Sequence, residues 1–209
     1  RRVLFRSVLY AWQPGTEGGN AIANLLYGIV SPSAKITMSF PRSTGQCPIY
    51  YNHFNTGRPK PEDKFIERAC VSYYKDELNS PLYPFGFGLT YTRFELGEIA
   101  LSKDVLSHGE KLTAEITVKN VGERFGEETL QLYICDRFAS CVRPVKELKA
   151  FKKVGLNAGE STEVKFIIDE EMLKFHTASG EFAAEDGDFD LFIGLNSEDV
   201  KSASFVLVG

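Results

Sequence analysis

The chain has 209 residues, 43% of them hydrophobic, with 24 basic and 28 acidic residues and a formal net charge of −4. That is enough apolar material for a real core in one large domain or two small ones, and the charges are spread along the chain without the basic footprint that nucleic acid or an anionic membrane requires. No apolar run approaches the roughly 20 residues of a membrane span, and the first residues lack the long apolar stretch of a secretory leader.

The first elements read as a strand–turn–helix unit. Val8–Trp12 is an apolar run, Pro14-Gly15-Thr16-Glu17-Gly18-Gly19 a glycine-rich turn, and a short helix runs from Asn20 to about Tyr27. Ala21, Ile22, Leu25 and Leu26 give that helix one apolar stripe, and Gly28 stands where a left-handed C-cap belongs. Lys35–Phe40 supplies a further strand that Pro41 terminates. One such unit cannot bury both of its faces, because an α/β sheet needs neighbouring strands and helices. Residues 8–41 are therefore expected to be the remnant of a larger α/β unit. Residues 42–93 have little periodicity and are rich in Pro, Gly, Asn and aromatics, the composition of a long linker wrapped over a neighbouring surface.

From Phe94 onward the pattern changes to short alternating runs separated by turn residues, the pattern of an immunoglobulin- or fibronectin-like β-sandwich over 94–209. Leu112, Ala114, Ile116 and Val118 alternate with polar neighbours, as do Leu130, Leu132 and Ile134 around Gln131 and Tyr133. Leu148–Val154, Glu163–Ile168, Phe189–Ile193 and Ala203–Val208 follow, giving about seven antiparallel strands. A helical turn at Glu170–Leu173 interrupts them, with Asp169 placed as its N-cap. The fold class is thus mainly β, a sandwich preceded by an α/β remnant and a linker.

Residue chemistry adds little that is catalytic. Cys47, Cys70, Cys135 and Cys141 lack the paired spacing of a zinc site. They read as free or buried thiols, with a local Cys135–Cys141 disulfide as the alternative in an oxidising compartment. His53, His108 and His176 have no partner at metal-ligand spacing, so neither a metal nor a cofactor is expected. Glu17 sits at a helix N-terminus, where a carboxylate serves better as a cap or interdomain contact than as a proton donor. The glycine turn lacks the Gly-Lys-Ser/Thr ending of a phosphate-binding loop. Trp12, Tyr51, His53 and Arg58 are the candidates for substrate contact, since aromatic rings and a planar guanidinium stack on or bond to hydroxyls. Packing between domains is the alternative role for the same side chains.

Several stretches together resemble the C-terminal region of family 3 glycoside hydrolases. Ala11-Trp12-Gln13-Pro14-Gly15-Thr16-Glu17-Gly18-Gly19-Asn20-Ala21-Ile22-Ala23 is similar to the last strand–turn–helix of that family's α/β-sandwich domain, and Ser39-Phe40-Pro41 to the strand end after it. Pro48-Ile49-Tyr50-Tyr51-Asn52-His53 and Thr56-Gly57-Arg58-Pro59 resemble the linking segment of the bacterial periplasmic-type β-glucosidases. Ser80-Pro81-Leu82-Tyr83-Pro84-Phe85-Gly86-Phe87-Gly88-Leu89-Thr90-Tyr91 resembles the signature that leads into the fibronectin type III-like domain. Within the sandwich the likeness continues through Val118-Lys119-Asn120-Val121-Gly122, Gln131-Leu132-Tyr133, Arg143-Pro144-Val145-Lys146-Glu147-Leu148 and Gly187-Asp188-Phe189. Arg1–Ser7 does not fit the pattern and is expected to be a foreign join.

The resemblance implies a retaining hydrolase acting on terminal β-linked glucose or related sugars without a cofactor, its two carboxyls ~5–5.5 Å apart. It also implies an aspartate nucleophile in an N-terminal barrel and an acid/base glutamate upstream of the glycine turn. Neither matching position is present in this sequence, so the chain by itself is expected to be inactive and to need that barrel and the rest of the α/β domain. Its implied place is the periplasm or outside the cell. The alternative from another class is a non-catalytic carbohydrate-binding or adhesion module, for which a sandwich is equally good scaffolding.

Overall fold

The computed structural model describes residues 7–55, 73–74 and 76–209. Arg58, Cys70 and most of Arg1–Ser7 lie outside the described residues. In chain order the strands are β1 (Phe94–Leu101), β2 (Val105–Ser107), β3 (Lys111–Asn120), β4 (Gly126–Asp136), β5 (Glu147–Leu156), β6 (Ser161–Asp169), β7 (Phe175–His176), β8 (Phe182–Ala183), β9 (Gly187–Gly194) and β10 (Val200–Val208). Among the described residues two α-helices, α1 (Gly18–Leu26) and α2 (Glu170–Leu173), and a short 3-10 helix at Thr44–Gln46 accompany them.

The strands form a three-stranded sheet ordered β1-β3-β6 and a five-stranded sheet ordered β2-β10-β9-β4-β5, with β7 and β8 as a small separate ladder. Alternation puts Leu112, Ala114, Ile116 and Val118 of β3 and Val164, Phe166 and Ile168 of β6 on one inner face. Leu130, Leu132 and Ile134 of β4, Leu191 and Ile193 of β9, and Phe205 and Leu207 of β10 come from the other, all in one buried cluster. Phe189 and Phe205 are cross-strand partners whose rings stack at 5.3 Å, the kind of pair that fixes register. The fold is therefore the β-sandwich the alternation predicts. One pairing differs from the antiparallel expectation, because β2 runs parallel to β10 through Val105↔Val206 and Ser107↔Val208.

The local signals for helices hold. Gly28 has φ +69, its amide donates to the Leu25 carbonyl at 3.0 Å, and the Ile29 amide donates to the Asn24 carbonyl at 2.9 Å. These are the two bonds of a Schellman cap, which needs a left-handed residue that glycine alone supplies without strain. Asp169 caps α2 by accepting from the Met172 amide at 3.3 Å.

The two strands expected before residue 42 do not form regular ladders. Val8–Trp12 has no strand partner, and Lys35–Phe40 reaches only an isolated bridge, Phe40↔Tyr83, flanked by Ile36 N–H to the Phe87 carbonyl at 2.9 Å. A strand exists through its neighbours' hydrogen bonds, and this segment finds only the returning linker at 82–87. Cys47, Cys135 and Cys141 are free thiols, so no disulfide links the last two.

Candidate functional site

The region where residues 82–91 meet the sandwich is built around one turn. Pro84-Phe85-Gly86-Phe87 closes with the Phe87 amide donating to the Pro84 carbonyl at 3.1 Å, and Gly86 sits at the third position with φ +78. That position favours glycine by conformation. Space requires it as well, because a Cβ there would lie 1.9 Å from the Gln131 Oε1. The turn sends Phe85 one way and Tyr83 and Phe87 the other. Phe85 stacks on Tyr51 at 4.3 Å, while Tyr83 and Phe87 stack on each other at 5.1 Å and Tyr83 meets Phe40 at 6.3 Å.

Beneath the turn, β4 is buried on both faces. Leu130, Leu132 and Ile134 enter the core, and Gln131 and Tyr133 on the opposite face are also buried. Gln131 Nε2 donates to the Gly86 carbonyl at 3.1 Å and the Leu195 carbonyl at 2.9 Å, and its Oε1 accepts from the Tyr133 hydroxyl at 2.5 Å. Desolvation pushes the Tyr133 phenol well above its ordinary range, which keeps its proton in place as a donor. The Ser197 amide donates to the Phe85 carbonyl at 2.9 Å. Nearby, burial lowers the Lys146 ammonium from its ordinary value; its Nζ donates to the Ser197 carbonyl at 2.7 Å and lies 4.9 Å from the Phe192 ring centre.

Polar contacts also tie residues 31–35 to the sandwich. Lys35 Nζ lies 2.5 Å from Glu128 Oε1, with the two side chains only 10% and 5% exposed. Lys153 reaches Glu127 at 2.7 Å and Ser33 Oγ at 2.8 Å. The Tyr91 hydroxyl donates to the Leu25 carbonyl at 2.6 Å and so fastens the end of α1. At the start of the sandwich, buried Asn120 fills its whole hydrogen-bonding capacity: Nδ2 donates to the Arg124 and Leu156 carbonyls, and Oδ1 accepts from Thr92 Oγ1 and the Gly122 amide.

The candidate sugar-contacting residues fall into separate groups. Trp12 is 60% exposed, has φ +50, and meets the Tyr10 ring edge-on at 4.2 Å. Through Tyr10, which lies 6.4 Å from Phe40, it joins the Phe40–Tyr83–Phe87 aromatics. Tyr51 belongs to the other side of the turn, with one ring face on Phe85, an edge contact to Tyr133 at 5.7 Å, and its hydroxyl accepting from the Leu148 amide at 3.3 Å. His53 is exposed; its ring Nδ1 is 3.1 Å from the Phe54 carbonyl, and its own carbonyl accepts from the Val145 amide. Arg58 lies outside the described residues. Glu17 occupies the N-cap position of α1, but its carboxylate accepts from the Asn20 side chain at 2.7 Å and bonds no first-turn amide.

Among the described residues no group of three His, Cys, Asp or Glu could hold a metal, and no helix is long and apolar enough to cross a membrane. A shallow open groove of about 480 Å³ lies between β5 and β6. Its lysines are engaged, Lys153 with Glu127 and Lys165 with Glu115 and Glu163. The junction residues that sequence reading missed are Gln131, Tyr133, Lys35 and Glu128. Only the position of Gln131 and Tyr133 in an otherwise alternating strand hinted that something covers them.

A two-sheet sandwich is thus locked through the Pro84–Phe87 turn to the segment that carries α1. Residues 4–91 match the Glycosyl hydrolase family 3 C-terminal domain, and residues 128–197 match the Fibronectin type III-like domain. The chain belongs to the C-terminal region of that family. It is 48% identical over 202 residues to the periplasmic β-glucosidase of Salmonella typhimurium, covering 97% of this chain and 26% of that protein. A β-xylosidase of Formosa agariphila is 35% identical over 203 residues, covering 96% of this chain and 27% of the relative. The crystal structure of a Listeria innocua β-glucosidase in complex with glucose superposes with a TM-score of 0.88 at 46% identity, covering 95% of this chain and 27% of that one. The chain thus spans about a quarter of the length of the relatives it matches.

Proposed function

We propose that this chain is the supporting C-terminal part of a retaining hydrolase that releases terminal β-linked glucose or a related sugar, in the periplasm or outside the cell. The proposed division is 8–41 as the end of the α/β-sandwich domain, 42–93 as the linker and 94–209 as the fibronectin type III-like domain. The reacting carboxylates belong to the barrel and the rest of the α/β domain, so the isolated chain does not hydrolyse glycosides. The sandwich is a rigid buttress that holds the linker. Trp12, Tyr51, His53 and Arg58 are the residues through which the linker and the α/β end reach the sugar site.

The observation that carries this reading is the exposed apolar side of the segment before residue 42. Val8, Tyr10, Trp12, Leu26, Tyr27 and Ile29 are between 56% and 84% exposed with the exception of none, while the other side of the same segment is fastened to the sandwich. Apolar surface of that extent is characteristic of a face that packs on more protein. The test is an assay of the purified chain against an aryl β-glucoside beside the longer polypeptide carrying barrel and α/β domain. Hydrolysis by the longer protein alone is expected, and native-like turnover by the chain alone overturns the proposal. Measurable sugar affinity in the isolated chain favours the binding-module alternative.

A further inference from the structure

Away from the Pro84–Phe87 turn, one imidazole stands between two carboxylates from different elements. His108, in the turn between β2 and β3, has Nε2 2.8 Å from Asp186 Oδ1 and Nδ1 3.3 Å from Glu170 Oε2. Asp186 precedes β9, and Glu170 opens α2. Each carboxylate also receives a backbone amide, Asp186 Oδ2 from Gly209 at 3.0 Å and Glu170 Oε2 from Gly109 at 3.1 Å. A neutral imidazole has one N–H and can donate to only one of these partners, whereas the imidazolium donates to both. The arrangement therefore joins the β2–β3 turn, α2 and the end of β10 fully only when the ring is charged.

We propose that His108, Asp186 and Glu170 form a pH-dependent clasp that holds the end of β10 and the β2–β3 turn against α2, and that loosens as the imidazole loses its proton. The neighbouring charges are otherwise engaged. Glu110 of the same turn pairs with Lys103, Glu171 of α2 pairs with Lys174, and Glu185 beside Asp186 accepts from the Ser140 amide at 2.7 Å. Lys174 also acts on Glu170 and favours its charged form. The hydrogen bond that His108 donates to Asp186 leads the effects that raise the His108 pKa above 6.5, and both carboxylates are lowered from their ordinary values. The sign follows. A raised folded-state pKa gives a contribution that is full below the unfolded value near 6.5 and is lost as pH rises through the folded value. The depressed carboxylates set the acid limit, where the contribution is lost as pH falls through their folded pKa values.

The experiment is an NMR titration of the whole chain with H108Q, D186N and E170Q. The His108 midpoint is expected above 6.5 in the parent, to fall in D186N, and to fall less in E170Q. Amide exchange at Gly109 and Gly209, corrected for intrinsic rates, is expected to lose about two- to fivefold protection in H108Q at pH 5.5, the scale of a surface ion pair. That loss is expected to disappear at pH 8.5. A His108 midpoint at or below 6.5, or a loss in H108Q that is the same at both pH values, overturns the clasp. Should H108Q not fold, the D186N titration decides alone.

Discussion

The sandwich and the segment before residue 42 use the same apolar residues to opposite effect. Leu132 in β4 is fully buried, while Leu26 at the end of α1 is 67% exposed and Tyr27 beside it 84% exposed. Both segments carry a regular apolar pattern, so pattern alone does not decide burial. The difference is that β4 has a facing sheet on one side and the Pro84–Phe87 turn on the other, whereas α1 is tethered through Tyr91 and leaves Leu26 and Tyr27 exposed. An apolar stripe states which face wants cover, and only the presence of a partner layer supplies it.

That contrast can be broken or sharpened by substitution. Leu132→Ala leaves a cavity in a core with no slack and is expected to cost about 4 kcal/mol in chemical denaturation. Gly86→Ala is expected to cost about 3 kcal/mol, since it combines a positive φ with displacement of Gln131. Its mark is early proteolytic cleavage in the 83–91 stretch while the sandwich strands stay protected from exchange. Glu128→Gln strands the Lys35 ammonium in a mostly buried place and is expected to cost about 2 kcal/mol, less than a fully buried pair would. Leu26→Ser should change stability by no more than about 0.5 kcal/mol and improve solubility. A cost above about 1 kcal/mol would mean that the α1 face is covered in the free chain, contrary to its exposure.

How much was legible in the sequence follows the range of the interactions involved. The strands β3 and β6, the Gly28 cap and the Asp169 cap depend on residues within a few positions and were readable from spacing. The three-residue β2 and its parallel partner were not, because a short run has too few positions to show alternation. Val8–Trp12 and Lys35–Phe40 have strand composition but lack the neighbours that would pair them. The junction was the least legible part. Burial of Gln131 and Tyr133 depends on Gly86, 45 positions from Gln131, and the Lys35–Glu128 pair spans about twice that separation. Of the four candidate substrate-contacting residues, Tyr51 packs on Phe85, and nothing in the pattern foretold the unusual backbone of Trp12.

The Pro84–Phe87 turn is held through main-chain oxygens: the Gln131 amide group grips the Gly86 carbonyl, and the Ser197 amide grips that of Phe85. Because carbonyl groups are common to every residue, these two bonds make no demand on the side chains of the turn except at one glycine, while the stacking of Phe85 and Phe87 adds its own. Swapping sandwiches between related chains should accordingly keep these two bonds wherever the recipient keeps glycine there and the donor keeps glutamine opposite.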